Sequence, residues 1–110
     1  MKKLINTVQL TGRLGKDPNL RMTQAGNPYV MLSLATTESF KSPESDVPQK
    51  ETMWHSIVAW GKTAELMARL LKKGSETVVK GRLRYNNYTD SDGKKQYRTR
   101  IQVDEFAAMS

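Results

Sequence analysis

The 110-residue sequence predicts an all-β (mainly β) domain: a small five-stranded barrel with one α-helix between its third and fourth strands. Three observations predict it. Apolar and polar residues alternate over several short stretches separated by turn chemistry, which is the period of half-buried strands. Only residues 62–73 carry apolar side chains at helical spacing. No strand–helix–strand repetition of the kind that builds a doubly wound parallel sheet is present.

The elements follow in order. In residues 4–14, Val8, Leu10, Gly12 and Leu14 share one face, and Thr7, Gln9, Thr11 and Arg13 the other. Lys16-Asp17-Pro18-Asn19 is a turn, residues 20–23 a short strand, and Ala25-Gly26-Asn27-Pro28 another turn. Residues 29–38 form a second strong strand, with Val30, Leu32 and Leu34 opposite Tyr29, Met31, Ser33 and Ala35. Residues 39–50, with two prolines, three serines and mixed charge, are expected as a long flexible loop. Residues 52–60 return to strand, rich in β-branched and aromatic side chains. In residues 62–73, Ala64, Met67, Leu70 and Leu71 recur near helical spacing, Glu65 opens the first turn, Lys72 and Lys73 close the last, and Gly74 stops the helix. Residues 77–85 read as strand, 86–94 as a polar, flexible hairpin loop turning at Asp92-Gly93, and 95–103 as the last strand, with 105–110 a short end. The order of three strands, one helix and two strands is that of the OB-fold, a five-stranded Greek-key barrel that binds oligonucleotides or oligosaccharides. Order alone leaves other small β-rich folds open.

Length fits a single domain, residues 1–110. No apolar run approaches 18 residues, so no membrane partner or span is expected. Polar residues interrupt the apolar stretch after the basic start, which reads as a mature, intracellular N-terminus. The absence of cysteine excludes disulfides and thiolate metal sites and fits a cytoplasmic chain. The net charge of +7 predicts attraction to a polyanion. It is unevenly placed: residues 1–71 carry nine basic and six acidic side chains, residues 72–102 nine basic and three acidic.

Catalytic chemistry is missing. Gly61-Lys62-Thr63 resembles the end of a phosphate-binding loop, but Ser56 stands where that loop needs its first glycine. The intervening Ile57-Val58-Ala59-Trp60 is a strand, so the GKT is a strand-to-helix turn. One histidine cannot form a histidine cluster, and no nucleophile elbow occurs. Asp90 and Asp92 read as turn residues. No catalytic residue, cofactor or metal is expected, and the chain is read as a non-enzyme.

The aromatic residues are more informative. Trp54 and Trp60 are six apart, so a regular strand puts both on one face, with Ser56 and Val58 between them. Met53, His55, Ile57 and Ala59 form the other face, which suits a core or a subunit contact. With that face inside the barrel, both tryptophans point out; the reversed assignment would put them in the core. Phe40, followed by Lys41, and Tyr88 are expected in polar loops, where a ring has little core to fill. Tyr88 lies between the runs Lys80-Arg82-Arg84 and Lys94-Lys95-Arg98-Arg100. Rings interleaved with cations suit single-stranded nucleic acid, because cations hold phosphates and flat rings accept bases of any identity.

The segments NTVQLTGRLGKDPNLR (6–21), LATTESF (34–40), TMWHSIVAWGKTAELMARLLKKGS (52–75) and KGRLRYNNYTD (80–90) together resemble the bacterial single-stranded DNA-binding proteins. The resemblance covers residues 5–104. It implies an OB-fold protomer that assembles into a homotetramer and coats single-stranded DNA in replication, recombination and repair. It implies stacking roles for Phe40, Trp54, Trp60 and Tyr88, a subunit contact for His55, and phosphate contacts for Lys62, Lys73 and Arg84. Arg21 and Lys41 are counted with these cations. Asn86 and Asn87 depart from a family pattern that is often basic there. The sequence stops at Ser110 without the acidic, hydrophobic-tipped tail typical of the family, so recruitment of replication proteins by such a tail is not expected. The alternative reading is a primosome-type accessory protein, active in replication restart as an interaction module.

Overall fold

The structure, a computed structural model, describes residues 5–41, 43, 44 and 47–109. The expected start of the first strand at residue 4, parts of the expected 39–50 loop and the last residue lie outside them. The elements are β1 (Val8–Leu14), β2 (Arg21–Met22), β3 (Pro28–Phe40), β4 (Gln49–Trp60), α1 (Gly61–Leu70), β5 (Glu76–Thr89) and β6 (Lys95–Ala108).

The strands are ordered β1-β5-β6-β4-β3-β2, and β1 also pairs with β3, which closes five of them into a barrel. All pairings are antiparallel except β4 with β6, where Ile57 faces Ile101 and Val58 faces Gln102. This is the OB-fold, with β2 a two-residue appendage on β3.

The alternation seen in the sequence becomes the core. Val30, Leu32 and Leu34 of β3, Ile57 and Ala59 of β4, Val79 of β5, and Ile101 and Val103 of β6 are buried together with Leu14. Helix α1 packs against β3, β4 and β6, and contributes Ala64 and Met67 to the same cluster. Gly61, at a φ of 64°, turns the chain out of β4 and into the helix, so the GKT is a strand-to-helix turn.

The helix stops at Leu70, three residues earlier than its sequence pattern implies. Leu71 swings into extended geometry and enters the core. The amides of Lys72 and Lys73, which a longer helix would use, donate instead to Ser75 Oγ at 2.9 Å and Asp17 Oδ1 at 2.7 Å. Leu70 therefore faces solvent rather than joining the apolar stripe.

The strands also run further than expected. Pairing between β3 and β4 continues to Phe40 opposite Gln49, and pairing between β5 and β6 to Thr89 opposite Lys95. The expected loops at 39–50 and 86–94 are thus partly ladder, and Phe40 and Tyr88 stand on strands, not in loops. The short end expected at 105–110 is likewise mostly strand, since β6 reaches Ala108. Outside the barrel these two-stranded ribbons are wet on both faces. Backbone bonds hold them without apolar alternation, so the cue that marks a half-buried strand is absent.

The two faces of α1 should separate in mutational cost. Met67→Ala opens a cavity and should lose about 2–5 kcal/mol of unfolding free energy in urea. Leu70→Ala should lose about 0.5 kcal/mol or less, as surface changes do.

Candidate nucleic-acid interface

Strand β4 is two-sided. Ile57 and Ala59 enter the core, while Trp54 and Trp60 project outward, 62% and 44% exposed. Tryptophan side chains left this open on a barrel surface are positioned to meet something flat.

Each indole has its own support. Trp60 faces Tyr29 across the β3–β4 ladder, and the rings lie 5.2 Å apart at 33°. Tyr29 in turn faces Arg21 of β2, so Arg21, Tyr29 and Trp60 form one cross-strand row. Lys62 follows in the first turn of α1. Tyr29 was not among the expected site residues; only strand register reveals it, and no spacing rule in the sequence supplies that. The Trp54 indole reaches across to Gly15, where an added Cβ would lie 2.6 Å from the ring. The neighbouring Leu14 carbonyl accepts the Gly74 amide at 2.9 Å, so the turn carrying Lys73 borders the strip beneath Trp54.

Phe40 is 45% exposed at the end of β3, with Lys41 just beyond. By register it shares a row with Thr36, Met53 and His55, the face of the ribbon opposite Trp54. His55 is half-buried, and its Nε2 lies 2.8 Å from Thr36 Oγ1. The ring set is therefore divided: Trp54 and Trp60 on one face, Phe40 on the other.

The β5–β6 ribbon carries the fourth ring. Tyr88 is 46% exposed, with the Arg98 guanidinium 5.6 Å from its ring centroid and Arg98 Nη2 3.5 Å from its hydroxyl. Arg82, Arg84 and Tyr88 share the outer face of β5, and Arg98, Arg100 and Gln102 face them from β6. Strand spacing thus puts Arg82, Arg84, Arg98 and Arg100 on one cationic face, while Lys95, opposite Thr89, falls on the other.

Asp90 fixes the tip of this ribbon and is spent there. Its Oδ2 accepts from Gln96 Nε2 at 2.9 Å, and its Oδ1 from the amides of Lys94 and Asp92 at 2.9 and 3.0 Å. The Gln96 bond, then the backbone bonds, hold its carboxyl below the usual carboxylate value. This is turn chemistry, as Asp90-x-Asp92-Gly93 implied.

Two outcomes follow. Gly15→Ala, read in a Trp60→Phe background so that only Trp54 reports, should fold normally yet shift indole emission to the red as the ring lifts off β1. Unchanged emission would show that the ring does not rest there. Because the folded Asp90 pKa is depressed, the support it gives the ribbon tip is present above its ordinary value of 3.8 and is lost as pH falls through the lower folded value. Protection of the Asp92 and Lys94 amides from exchange, relative to an unstructured peptide at the same pH, should fall over that acid window, and should already be low at neutral pH in Asp90→Ala.

The single-strand binding protein family model matches residues 5–109. A single-stranded DNA-binding protein 1 from Xylella fastidiosa is 43% identical over 93% of this chain and 75% of its own length. A single-stranded DNA-binding protein from Xanthomonas campestris is 44% identical over 96% of this chain, and this chain spans 61% of it. Among solved structures, a Plasmodium falciparum SSB in complex with ssDNA aligns over 100% of this chain and 99% of that one, with a TM-score of 0.87 at 23% identity, a likeness of fold. With the family model covering nearly the whole barrel, the chain belongs to the single-strand binding protein family.

Proposed function

We propose that this protein binds single-stranded DNA with little sequence preference and without catalysis. Exposed rings would stack on bases while lysine and arginine side chains hold phosphates. The observation that carries the reading is the outward placement of Trp54 and Trp60 on a strand whose other face builds the core. Such rings accept any base, because every base presents a π-face. Tyr88, Phe40, Arg21, Lys41, Lys62, Lys73 and Arg84 extend the same chemistry over the barrel and its ribbons. Family membership and the names of the relatives support the same ligand and a role in protecting exposed strands during replication, recombination and repair. Among the described residues no helix is long and apolar enough to cross a membrane; we place the protein in the cytoplasm.

We further propose a homo-oligomer, a tetramer, with His55 at a subunit contact. One feature supports self-association: β1 pairs with β5 from Val8 to Arg13 but meets β3 only at Arg13 and Leu14. Its Val8–Thr11 stretch, before Gly12 meets the Ala35 backbone, therefore presents a free strand edge among the described residues, the kind of edge that a second copy can extend. Light scattering should give four times the 12.5 kDa chain mass; a monomer would overturn this assembly.

Trp54→Ala and Trp60→Ala should each weaken dT-oligomer binding by about 1–3 kcal/mol, with circular dichroism unchanged. Binding followed by anisotropy of a labelled oligomer should fall with salt at a log–log slope near −0.7 per phosphate neutralised. A flat salt response would contradict the phosphate contacts.

A further inference from the structure

The cations on the β5–β6 ribbon are not equivalent. Arg82 pairs with Asp104 at 3.4 Å, Lys80 pairs with Glu105 at 3.7 Å, and Arg98 lies over Tyr88. Arg84 and Arg100 have no acidic partner among the described residues. They also sit directly opposite each other across the ladder. Like charges in that position, with Cβ atoms about 4.5–5.5 Å apart, are destabilising. The Arg100 Nε is moreover buried without a hydrogen-bond partner among the described residues, an unusual condition for a charged donor.

Their place in the fold gives this pair a purpose. Strands β4 and β6 run parallel and pair only at Ile57–Ile101 and Val58–Gln102. On the N-terminal side of that seam they separate, β4 leaving with β3 and β6 with β5. Arg100 and Ser56 each precede the seam by one residue. Arg100 and Arg84 therefore stand at the fork where the two ribbons diverge. They lie on the outer face that also carries Trp54, two residues before Ser56, and Tyr88, four residues beyond Arg84. A strand running between those rings would cross the fork. Two guanidinium groups carried there by opposed residues match a phosphate, which accepts paired N–H bonds and cancels the mutual repulsion.

We infer that Arg84 and Arg100 form a clamp for one phosphate of the bound strand at this fork. The inference rests on the single-stranded DNA reading and adds Arg100 to its binding residues as a partner of Arg84.

The test uses the full chain and a dT oligomer, with indole quenching and the salt dependence of affinity read separately. Wild type should quench and show the full salt slope. Arg100→Gln should quench to the same depth at saturation, bind roughly tenfold more weakly at low salt, and lose about 0.7 of the log–log slope, one phosphate's share. Arg84→Gln should behave alike, and the double variant should lose little more than either single one, because all three break one clamp. Arg100→Lys should keep the slope while recovering only part of the affinity. The free Arg100→Gln protein should melt no lower than wild type, since a repulsion is removed; a lower melting point together with weaker binding would mean a structural role and overturn the clamp. Wild-type affinity and slope in Arg100→Gln would overturn it too, leaving the broader reading intact. Failure of wild type to bind dT would overturn both.

Discussion

A parallel seam of two residue pairs, Ile57 with Ile101 and Val58 with Gln102, joins the two long hairpins of the barrel that the β1–β3 pairing closes. The rest of the architecture depends on how short it is. Ile57 and Ile101 point inward and join the core, so the seam is anchored by burial. Because the two strands run in the same direction, the hairpins they belong to leave the barrel from the same end. Each continues as a two-stranded ribbon, and the described chain extends 55 × 40 × 34 Å as a result. A longer seam would zip the ribbons together and remove the fork between them.

The seam also explains the division of labour within β4. Its inward residues Ile57 and Ala59 are committed to the core, which turns the opposite face outward and leaves Trp54 and Trp60 exposed on either side of a covered Val58. Tyr29 and Gly15 then settle the indoles, one by ring contact and one by leaving space. Rings held in this way would lose little freedom under the proposed stacking, leaving more of its energy to hold a base. On the other ribbon, Arg98 covers Tyr88 from one side and leaves the remaining ring surface for a ligand.

Much of this was legible in the sequence wherever one face of an element meets the core. Period-two alternation located β1, β3 and β4, helical spacing located α1, and the Trp54–Trp60 spacing put both indoles on one face of β4, which the structure turns outward. The alternation failed where the core ends. No apolar alternation marks residues 39–40 or 86–89 as strand, because a ribbon in water is held by its ladder alone. Leu70 was misleading because the helix yields to Asp17 and Ser75, whose side chains take the amides of its next turn. Register lies further out of reach. The pairing of Tyr29 with Trp60, the placement of Phe40 opposite Trp54, and the meeting of Arg84 with Arg100 depend on which residues face each other across strands distant in sequence.

We propose that the outward rings recognise unstacked bases, with charge as a supplement. This recognition is tested most directly by comparing single-stranded and duplex DNA of the same sequence and length at one salt concentration. Indole emission should be followed as binding is measured independently from a labelled end. Saturating single strand should quench the tryptophans strongly, while duplex, whose bases are already stacked, should leave emission nearly unchanged even where it binds. Equal quenching by both, or unchanged emission at saturation with the single strand, would contradict the account.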